Sequence, residues 1–262
     1  MRKKARRLKR VREEEERIKD RDIVKTVEEV FDAFTMGHLY NLERRGVIWE
    51  LKGVISSGKE ARVYWGIGRK GEDLAVKIYL SATAEFRRGI RKYIIGDPRF
   101  EDIPPGNFRK LIYEWARKEY RNLRRMNDAG VRVPAPIAYS GNIVVMEFLG
   151  EEGYRAPLLL EVIEELSLEE VEAIYEDLKE QLTRIVCKAR LIHADLSEYN
   201  IVYWKGKPWI IDVAQAVHHG HPHAVEFLER DIWNIHKFFS QYINVEPLNE
   251  LQRVYMECLT RE

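Results

Sequence analysis

Cysteine is nearly absent from this chain of 262 residues, and long apolar runs are absent altogether. The two cysteines, Cys187 and Cys258, fall in segments with a helical pattern, so we predict no disulfide framework. No apolar stretch approaches the roughly 20 residues of a membrane-spanning helix, and the N-terminus lacks the apolar core of a secretory signal. We therefore expect a cytoplasmic protein that makes no membrane contact.

An excess of charge of one sign is also missing. The chain has 44 Lys and Arg against 43 Asp and Glu, so the overall composition does not indicate nucleic-acid binding. Charge is concentrated instead in an arm at residues 1–22, where residues 2–12 are mostly Arg and Lys and four glutamates follow. A solvated, frayed helix and a basic segment that binds RNA phosphates fit this arm about equally well.

The hydrophobic pattern divides the rest of the chain into a mixed part and a mainly helical part. Residues 23–149 contain helical spacing at the start, several strand-like runs and a long helix over 108–129, with an insert at about 81–107 that we predict to be flexible. Residues 150–262 are mostly helical, with one hairpin. The predicted fold is therefore α+β and bilobal, with a small β-rich lobe before a larger helical one.

A glycine-containing turn, GVISSGK, begins at Gly53 and matches most of the phosphate loop of P-loop NTPases. That loop needs Ser or Thr next and then a helix, but Glu60 and a strand-like run follow here, so the P-loop interpretation fails. The strand–turn–strand context suits a kinase glycine loop, although only Gly58 remains of its three glycines. Taken alone, this segment favours an ordinary hairpin.

Lys77 lies between apolar residues in LAVKIYL. A buried ammonium is costly unless it meets an anion, and the alternative is an edge strand with the lysine pointing to solvent. In protein kinases a lysine in this context grips nucleotide phosphates and pairs with a helix glutamate. The following long helix offers Glu119 as the partner and Glu114 as the alternative.

The stretch LIHADLSEYNIVYWKGKPWIID contains three polar residues around a predicted hairpin. Asp195 precedes the hairpin, and its two strands bring Asn200 and Asp212 to one end. Phosphoryl transfer needs a carboxylate near the attacking hydroxyl and oxygen ligands for Mg²⁺, which these residues supply in that order. A turn rich in capping residues would explain any one of them, but not all three after the lysine and the glutamate. We expect His193 to orient this loop rather than to carry protons.

The segments SSGKEA, HADLSEYN, IDVAQAV and HPHAVEFLERD occur in this order between about Val47 and Phe239. In this the sequence resembles the RIO family of atypical serine protein kinases, specifically its type-one branch in a short, archaeal-like form. The resemblance implies a bilobal protein-kinase-like fold without the activation loop and peptide-binding segments. The interval between Asp212 and a helix predicted around Asp231 is too short for those segments.

The resemblance also implies a role for each candidate site residue. ATP and Mg²⁺ are the implied cofactors, with Mn²⁺ as an alternative ion. The implied catalytic residues are Asp195, Asp212, Lys77 and Glu119. The implied metal ligands are Asn200 and Asp212. The implied nucleotide-binding residues are Ser56, Gly58, Lys59 and Lys77 at the phosphates, Met146 at the back of the adenine pocket, and the main chain of Glu147 and Leu149.

The implied function is that of a serine/threonine protein kinase and ATPase that modifies itself on serine or forms a phospho-aspartate at the metal-binding aspartate. The implied partner is the precursor of the small ribosomal subunit. The candidates for RNA contact are residues 2–12 and 87–99, whose basic side chains fit RNA binding and a solvated segment equally well. Two alternatives remain open. One is an RNA-bound assembly factor that uses ATP hydrolysis as a release switch. The other is a small-molecule phosphotransferase of the aminoglycoside or choline type, which shares the pattern of Asp195, Asn200 and Asp212.

Overall fold

The computed structural model describes residues 31–80 and 84–260. The predicted arm at residues 1–22 lies outside the described residues, so its proposed contact with RNA stays a prediction. Among the helices of the described ranges, none is both long and apolar enough to cross a bilayer.

An antiparallel sheet of five strands forms the N-terminal lobe, in the order β1-β2-β3-β5-β4. All strands of this sheet were predicted from alternating apolar residues and turn signals. They are β1 (Glu50–Ser57), β2 (Ala61–Ile67), β3 (Asp73–Tyr79), β4 (Pro136–Ser140) and β5 (Ile143–Glu147).

Strand β3 decides which way Lys77 points. Successive side chains of a strand alternate between the two faces of the sheet. Leu74, Val76 and Ile78 pack on the outer side of the sheet, in the cluster that includes helix α1 (Ala33–Arg44). Lys77 therefore faces the other way, toward the second lobe, and the alternative of a solvent-facing edge-strand lysine is excluded because β3 has neighbours on both sides.

Helix α4 (Phe108–Asp128) agrees with the predicted long helix. Asn107 caps its start by accepting from the N–H of Lys110, and Gly130, at φ +77°, lies just beyond its end. The insert before it contains two helices where a flexible loop was predicted, α2 (Ala84–Ile94) and α3 (Pro98–Glu101). The reason is apolar spacing, since the side chains of Phe86, Ile90 and Tyr93 recur at helical intervals and are buried among the apolar core residues.

The C-terminal lobe is mainly helical, as predicted. Its short strands include β8 (Leu191–Ile192) and the hairpin of β9 (Ile201–Trp204) and β10 (Lys207–Ile210). The remaining strands are β6 (Gly150–Glu151), β7 (Tyr154–Arg155) and β11 (Val217–His218). The helices are α5 (Leu159–Val162), α6 (Leu168–Thr183), α7 (Ala224–Phe239) and α8 (Leu248–Thr260).

Two details of the helices go beyond the prediction. Within the part predicted to be mostly helical, residues 161–190 form more than one helix, because Ser167 and Glu170 form a capping box that starts a new helix, α6. The helix expected around Asp231 begins earlier, at Ala224, so the interval after Asp212 is even shorter than the sequence suggested. This supports the predicted lack of an activation loop.

The prediction that the cysteines form no disulfide is wrong. Cys187 and Cys258 are joined, with their Cα atoms 5.1 Å apart and a sequence separation of 71. Cys187 lies in a π-helical turn, Arg184–Lys188, that packs against α8. Sequence spacing could not show this contact, because it depends on how two distant helical segments meet.

Candidate active site

A cavity of about 610 Å³ lies between the two lobes. The turn between β1 and β2 and the inner face of β3 form its upper wall, and the end of β5 with the following segment forms its back. The start of β9 and the residues after β10 form its floor. The predicted site residues that line it are Ser56, Gly58, Lys59, Lys77, Glu119, Met146, Glu147, Leu149, Asn200 and Asp212.

The structure thus places every predicted site residue except Asp195 in the lining of one cavity. Asp195 lies next to that wall, since its main-chain carbonyl accepts from Nδ2 of Asn200 at 2.7 Å. Burial and the neighbouring Asp212 charge raise the pKa of the Asp195 carboxyl. The two carboxylates are therefore close enough to influence each other.

Lys77 joins the two lobes through its ammonium group. Its Nζ donates to Oε1 of Glu119 at 2.6 Å and to Oδ1 of Asp212 at 2.9 Å. Glu119 is thus the partner, while Glu114 pairs with Arg117 on the same helix. Burial alone would lower the pKa of Lys77, but the charges of Asp212 and Glu119 outweigh it and raise that pKa well above its usual value. Lys77 therefore stays charged at neutral pH.

Asp212 combines a strained backbone with an accessible carboxylate. Its φ is +58°, in the left-handed region that residues other than glycine rarely adopt, and its side chain is 42% exposed. Burial would raise the pKa of Asp212, but the charge and hydrogen bond of Lys77 lower it. Strain of this kind persists only where the surroundings hold it, and it clusters at functional sites.

Helix α7 holds the loop that carries Asp195. The buried carboxylate of Asp231 accepts from the N–H of Ala194 at 2.7 Å and from the N–H of Leu196 at 2.8 Å. One helical turn later, Nδ2 of Asn234 donates to the carbonyl of Leu196 at 2.9 Å. Burial raises the pKa of Asp231 to about 7, although both N–H donors act in the opposite direction. The sequence placed Asp231 in a helix but gave no signal for this role.

His193 ties the same loop to the end of β10. Its Nε2–H donates to the carbonyl of Ile211 at 3.1 Å, and burial lowers the pKa of His193 to about 4. The imidazole is therefore neutral at physiological pH. This agrees with the expectation that His193 orients the loop and transfers no proton in the reaction.

The comparisons with known proteins decide the family. The sequence model of the RIO domain matches residues 62–251. The chain belongs to the RIO domain family. The RIO-type serine/threonine-protein kinase Rio1 of Haloferax volcanii is 43% identical over 85% of this chain and 74% of its own length. The serine/threonine-protein kinase RIO1 of Caenorhabditis elegans is 43% identical over 86% of this chain, and that of Homo sapiens 42% over 90%.

This RIO chain spans 44% of the length of the Caenorhabditis elegans protein and 41% of the human one. Among solved structures, a Rio2 kinase of Chaetomium thermophilum in complex with ADP, Mg²⁺ and phosphoaspartate superposes with a TM-score of 0.66. The superposed region covers 86% of this chain and 67% of the Rio2 chain, and the two sequences are 24% identical. The likeness confirms the predicted α+β, bilobal kinase-like fold.

The donor atoms of the RIO site suit a magnesium ion that is held partly by a nucleotide. In the described part of the chain, no group of three or more His, Cys, Asp or Glu side chains could hold a metal by itself. Asn200 and Asp212 both line the cavity, and because Nδ2 of Asn200 is used on Asp195, its Oδ1 is the atom left for a cation. Mg²⁺ commonly takes one or two protein oxygens and completes its shell with water and substrate phosphates.

Sequence reasoning missed several polar side chains around this RIO site. The hydroxyl of Tyr79 donates to Oε2 of Glu119 at 2.7 Å, so the carboxylate is held from both sides. Glu60 also lines the cavity, and burial together with the Asp212 charge raises the pKa of its carboxyl. Tyr79 could have been found from strand alternation, because it lies two residues after Lys77 on the same face.

Proposed function

We propose that this RIO-family protein is an atypical serine/threonine protein kinase and ATPase that uses Mg-ATP. The observation that carries the proposal is the bridge from Lys77 to Glu119 and Asp212 at the wall of the cavity between the lobes. Phosphoryl transfer depends mainly on positioning and on offsetting charge, and a charged lysine held between two carboxylates in the wall of this cavity serves both needs.

The cavity is lined by both apolar and polar residues. The apolar residues suit an adenine ring, with Met146 at the back and the main chain of Glu147 and Leu149 as the edge that the ring would meet. Other apolar lining residues include Val63, Ala75, Val202 and Ile211. The polar residues suit the phosphates, with Ser56, Gly58 and Lys59 in the turn between β1 and β2 and Lys77 on β3. A bound Mg²⁺, held by Asn200 and Asp212, would offset the phosphate charge.

The phosphoryl group has three acceptors in this proposal: a serine hydroxyl, water, and Asp212 itself. Asp195 positions the attacking oxygen. A transient phospho-aspartate at Asp212 is supported by its exposed carboxylate and strained backbone, and by the phosphoaspartate named for the Rio2 structure. Lys77 stabilises the negative charge on Asp212 before and after transfer.

We further propose a cytoplasmic role in maturation of the small ribosomal subunit, with its precursor as the partner. The support lies in helix α2, where Arg88, Arg91 and Lys92 are exposed while the apolar side chains of the same helix are buried. Such a basic face can neutralise RNA phosphates. It also favours the alternative of an RNA-bound assembly factor, in which ATP hydrolysis drives release. Both roles can belong to one protein.

The variant Asp195→Asn tests the catalytic proposal. It removes the carboxylate that positions the nucleophile and keeps the size of the side chain, so we expect ATP turnover to fall on the order of 10³-fold with ATP affinity largely retained. The matched control is Asp128→Asn, the same change at an exposed position near the end of α4. Turnover of Asp195→Asn within a few-fold of the unmodified protein would refute the proposal.

Reversing the charge of exposed basic residues on α2 tests the proposed contact with RNA. In the double variant R88E and R91E, we expect RNA binding to weaken strongly at low salt while ATP turnover by the free protein changes little. Unchanged RNA affinity in the double variant would rule out the α2 face as the contact.

A screen of small alcohols as phosphoryl acceptors separates the small-molecule alternative, which would show rapid transfer to one of them.

A further inference from the structure

Gln215 carries a buried oxygen without a partner at the wall of the cavity. Several buried side-chain atoms in the described part of the chain lack a hydrogen-bond partner, but only Gln215 Oε1 belongs to a residue that also lines the cavity. A buried acceptor left unsatisfied is costly, so native proteins place an ordered water or another donor at such an atom. The amide of Gln215 thus has an unused acceptor beside the cavity, three residues after Asp212.

The segment that carries Gln215 is fixed from behind. Nζ of Lys118 donates to the carbonyls of Ala214 and Ala216 at 2.6 and 2.7 Å. Nδ2 of Asn122 donates to the carbonyls of Val213 and Ala216 at 2.9 and 3.0 Å. Both donors are buried on α4, one at 0% and the other at 4% exposure. The main chain after Asp212 therefore has little freedom.

Among the side chains of residues 213–216, Gln215 stands out because it alone is polar. Val213, Ala214 and Ala216 are buried apolar residues, so Gln215 is the one polar side chain between Asp212 and Val217. The main chain on both sides of Gln215 is bound to α4, whose Glu119 holds Lys77. The same helix thus holds both the segment with Gln215 and the lysine that binds Asp212. A packing role alone would not require an amide at this position.

We propose that Gln215 is a catalytic residue that positions the water molecule which removes the phosphoryl group from phosphorylated Asp212. This inference rests on the proposed function, because it requires the phospho-aspartate. Oε1 accepts a hydrogen bond from the water, and Nε2 donates to a phosphoryl oxygen, so that one amide aligns both reactants. A glutamine orients the attacking water in the same way in GTPases.

The step balances without any further reactant. The water oxygen forms the new bond to phosphorus, and the bond between phosphorus and the Asp212 carboxylate oxygen breaks. The electron pair of the broken bond stays on the carboxylate, which Lys77 stabilises by its hydrogen bond to Oδ1. A proton of the water passes to a phosphoryl oxygen, and the products are inorganic phosphate and free Asp212. Gln215 neither gains nor loses a proton.

The variant Gln215→Leu tests this role, with Gln241→Leu as the matched control at an exposed position at the end of α7. The full chain is incubated with labelled ATP and Mg²⁺, and two quantities are followed: release of inorganic phosphate, and the phosphoenzyme that hydroxylamine cleaves. A chase with unlabelled ATP gives the lifetime of the phosphoenzyme. Thermal melting and ATP affinity are measured alongside.

In Gln215→Leu we expect phosphate release to fall by at least about tenfold, the phosphoenzyme to accumulate, and its lifetime to lengthen by the same factor. ATP affinity and the melting temperature should stay near those of Gln241→Leu. A phosphoenzyme lifetime equal to that of the control, or no phosphoenzyme in either protein, would overturn the inference. If the unmodified chain neither transfers nor hydrolyses, the proposed function itself fails, which is a separate result.

Discussion

Two loops meet at the cavity, and the protein holds them in different ways. The loop of Asp195 is anchored by side chains that are buried or half-buried: Asp231 and Asn234 on α7 bind its main chain, and His193 ties it to the residue after β10. The glycine loop between β1 and β2 is exposed from Ser56 to Lys59. Its own turn is closed by the N–H of Gly58, which donates to the carbonyl of Ala61 at 3.0 Å.

The difference separates two tasks of the site. Groups that align the nucleophile must be in place before the substrate arrives, and buried hydrogen bonds provide that rigidity. Groups that cover the phosphates must allow the nucleotide to enter, so an exposed turn suits them. Substitutions in the anchored loop should therefore affect stability and catalysis together, whereas substitutions in the glycine loop should affect nucleotide binding alone.

Asp231→Ala should give the largest effect on stability. It leaves two buried N–H groups without an acceptor, so we expect the free energy of unfolding to fall by about 3 kcal/mol and turnover to fall with it. Denaturant unfolding measures the free energy of unfolding. Glu229→Ala, at an exposed position on the same helix, is the control and should change stability by roughly 0.5 kcal/mol or less. A similar small value for Asp231→Ala would contradict the anchoring role.

The variant His193→Gln tests the anchoring of the Asp195 loop through the pH dependence of the free energy of unfolding. The pKa of His193 is about 4 in the folded protein and about 6.5 in the unfolded chain, so the unfolded chain alone binds the proton between these values. Stability of the unmodified protein therefore falls as the pH drops from 6.5 to 4, by on the order of 3 kcal/mol from this group.

The variant His193→Gln lacks this pH-dependent contribution to stability. Its free energy of unfolding, measured in urea at pH 7 and at pH 4, should fall less between the two values than that of the unmodified protein. Parallel losses in the two proteins would show that His193 is not buried in its neutral form.

Tyr79→Phe should have a smaller effect, because Glu119 keeps its bond to Lys77 when it loses the tyrosine hydroxyl. We expect a loss of about 1 kcal/mol in unfolding free energy and a KM for ATP that rises a few-fold. Tyr40→Phe removes a hydroxyl from a side chain that is 60% exposed and serves as the control. Equal results for the two variants would mean that Tyr79 does not position Glu119.

Gly58→Ala should have the smallest effect on stability. A Cβ at this position would lie 3.3 Å from the carbonyl oxygen of Ala61, which requires a small shift of the exposed turn. We expect a change of roughly 0.5 kcal/mol or less in unfolding free energy, with ATP affinity lowered several-fold. Gly53→Ala is the control, since its added Cβ meets nothing within 4 Å. A large loss of stability in Gly58→Ala would show that the two loops are held alike.

The sequence predicted those parts of the site that follow from local pattern. Strand alternation and hairpin geometry are local, so Lys77, Asn200 and Asp212 were placed correctly, and helical spacing pointed to Glu119. The groups that hold them depend on contacts between distant elements, which pattern alone cannot reveal. Lys118 reaches a carbonyl 98 residues away and Asp231 an N–H 37 residues away. The disulfide was missed for the same reason.

The central claim is that Lys77, Asn200 and Asp212 converge on one metal-bound triphosphate. The affinity for a non-hydrolysable ATP analogue, measured by calorimetry with and without Mg²⁺, tests this claim most directly. The unmodified protein should bind the analogue more tightly with Mg²⁺, and Asp212→Asn should lose most of that gain while it still binds the analogue without the ion. An equal gain in both proteins, or no gain in the unmodified one, would contradict the account.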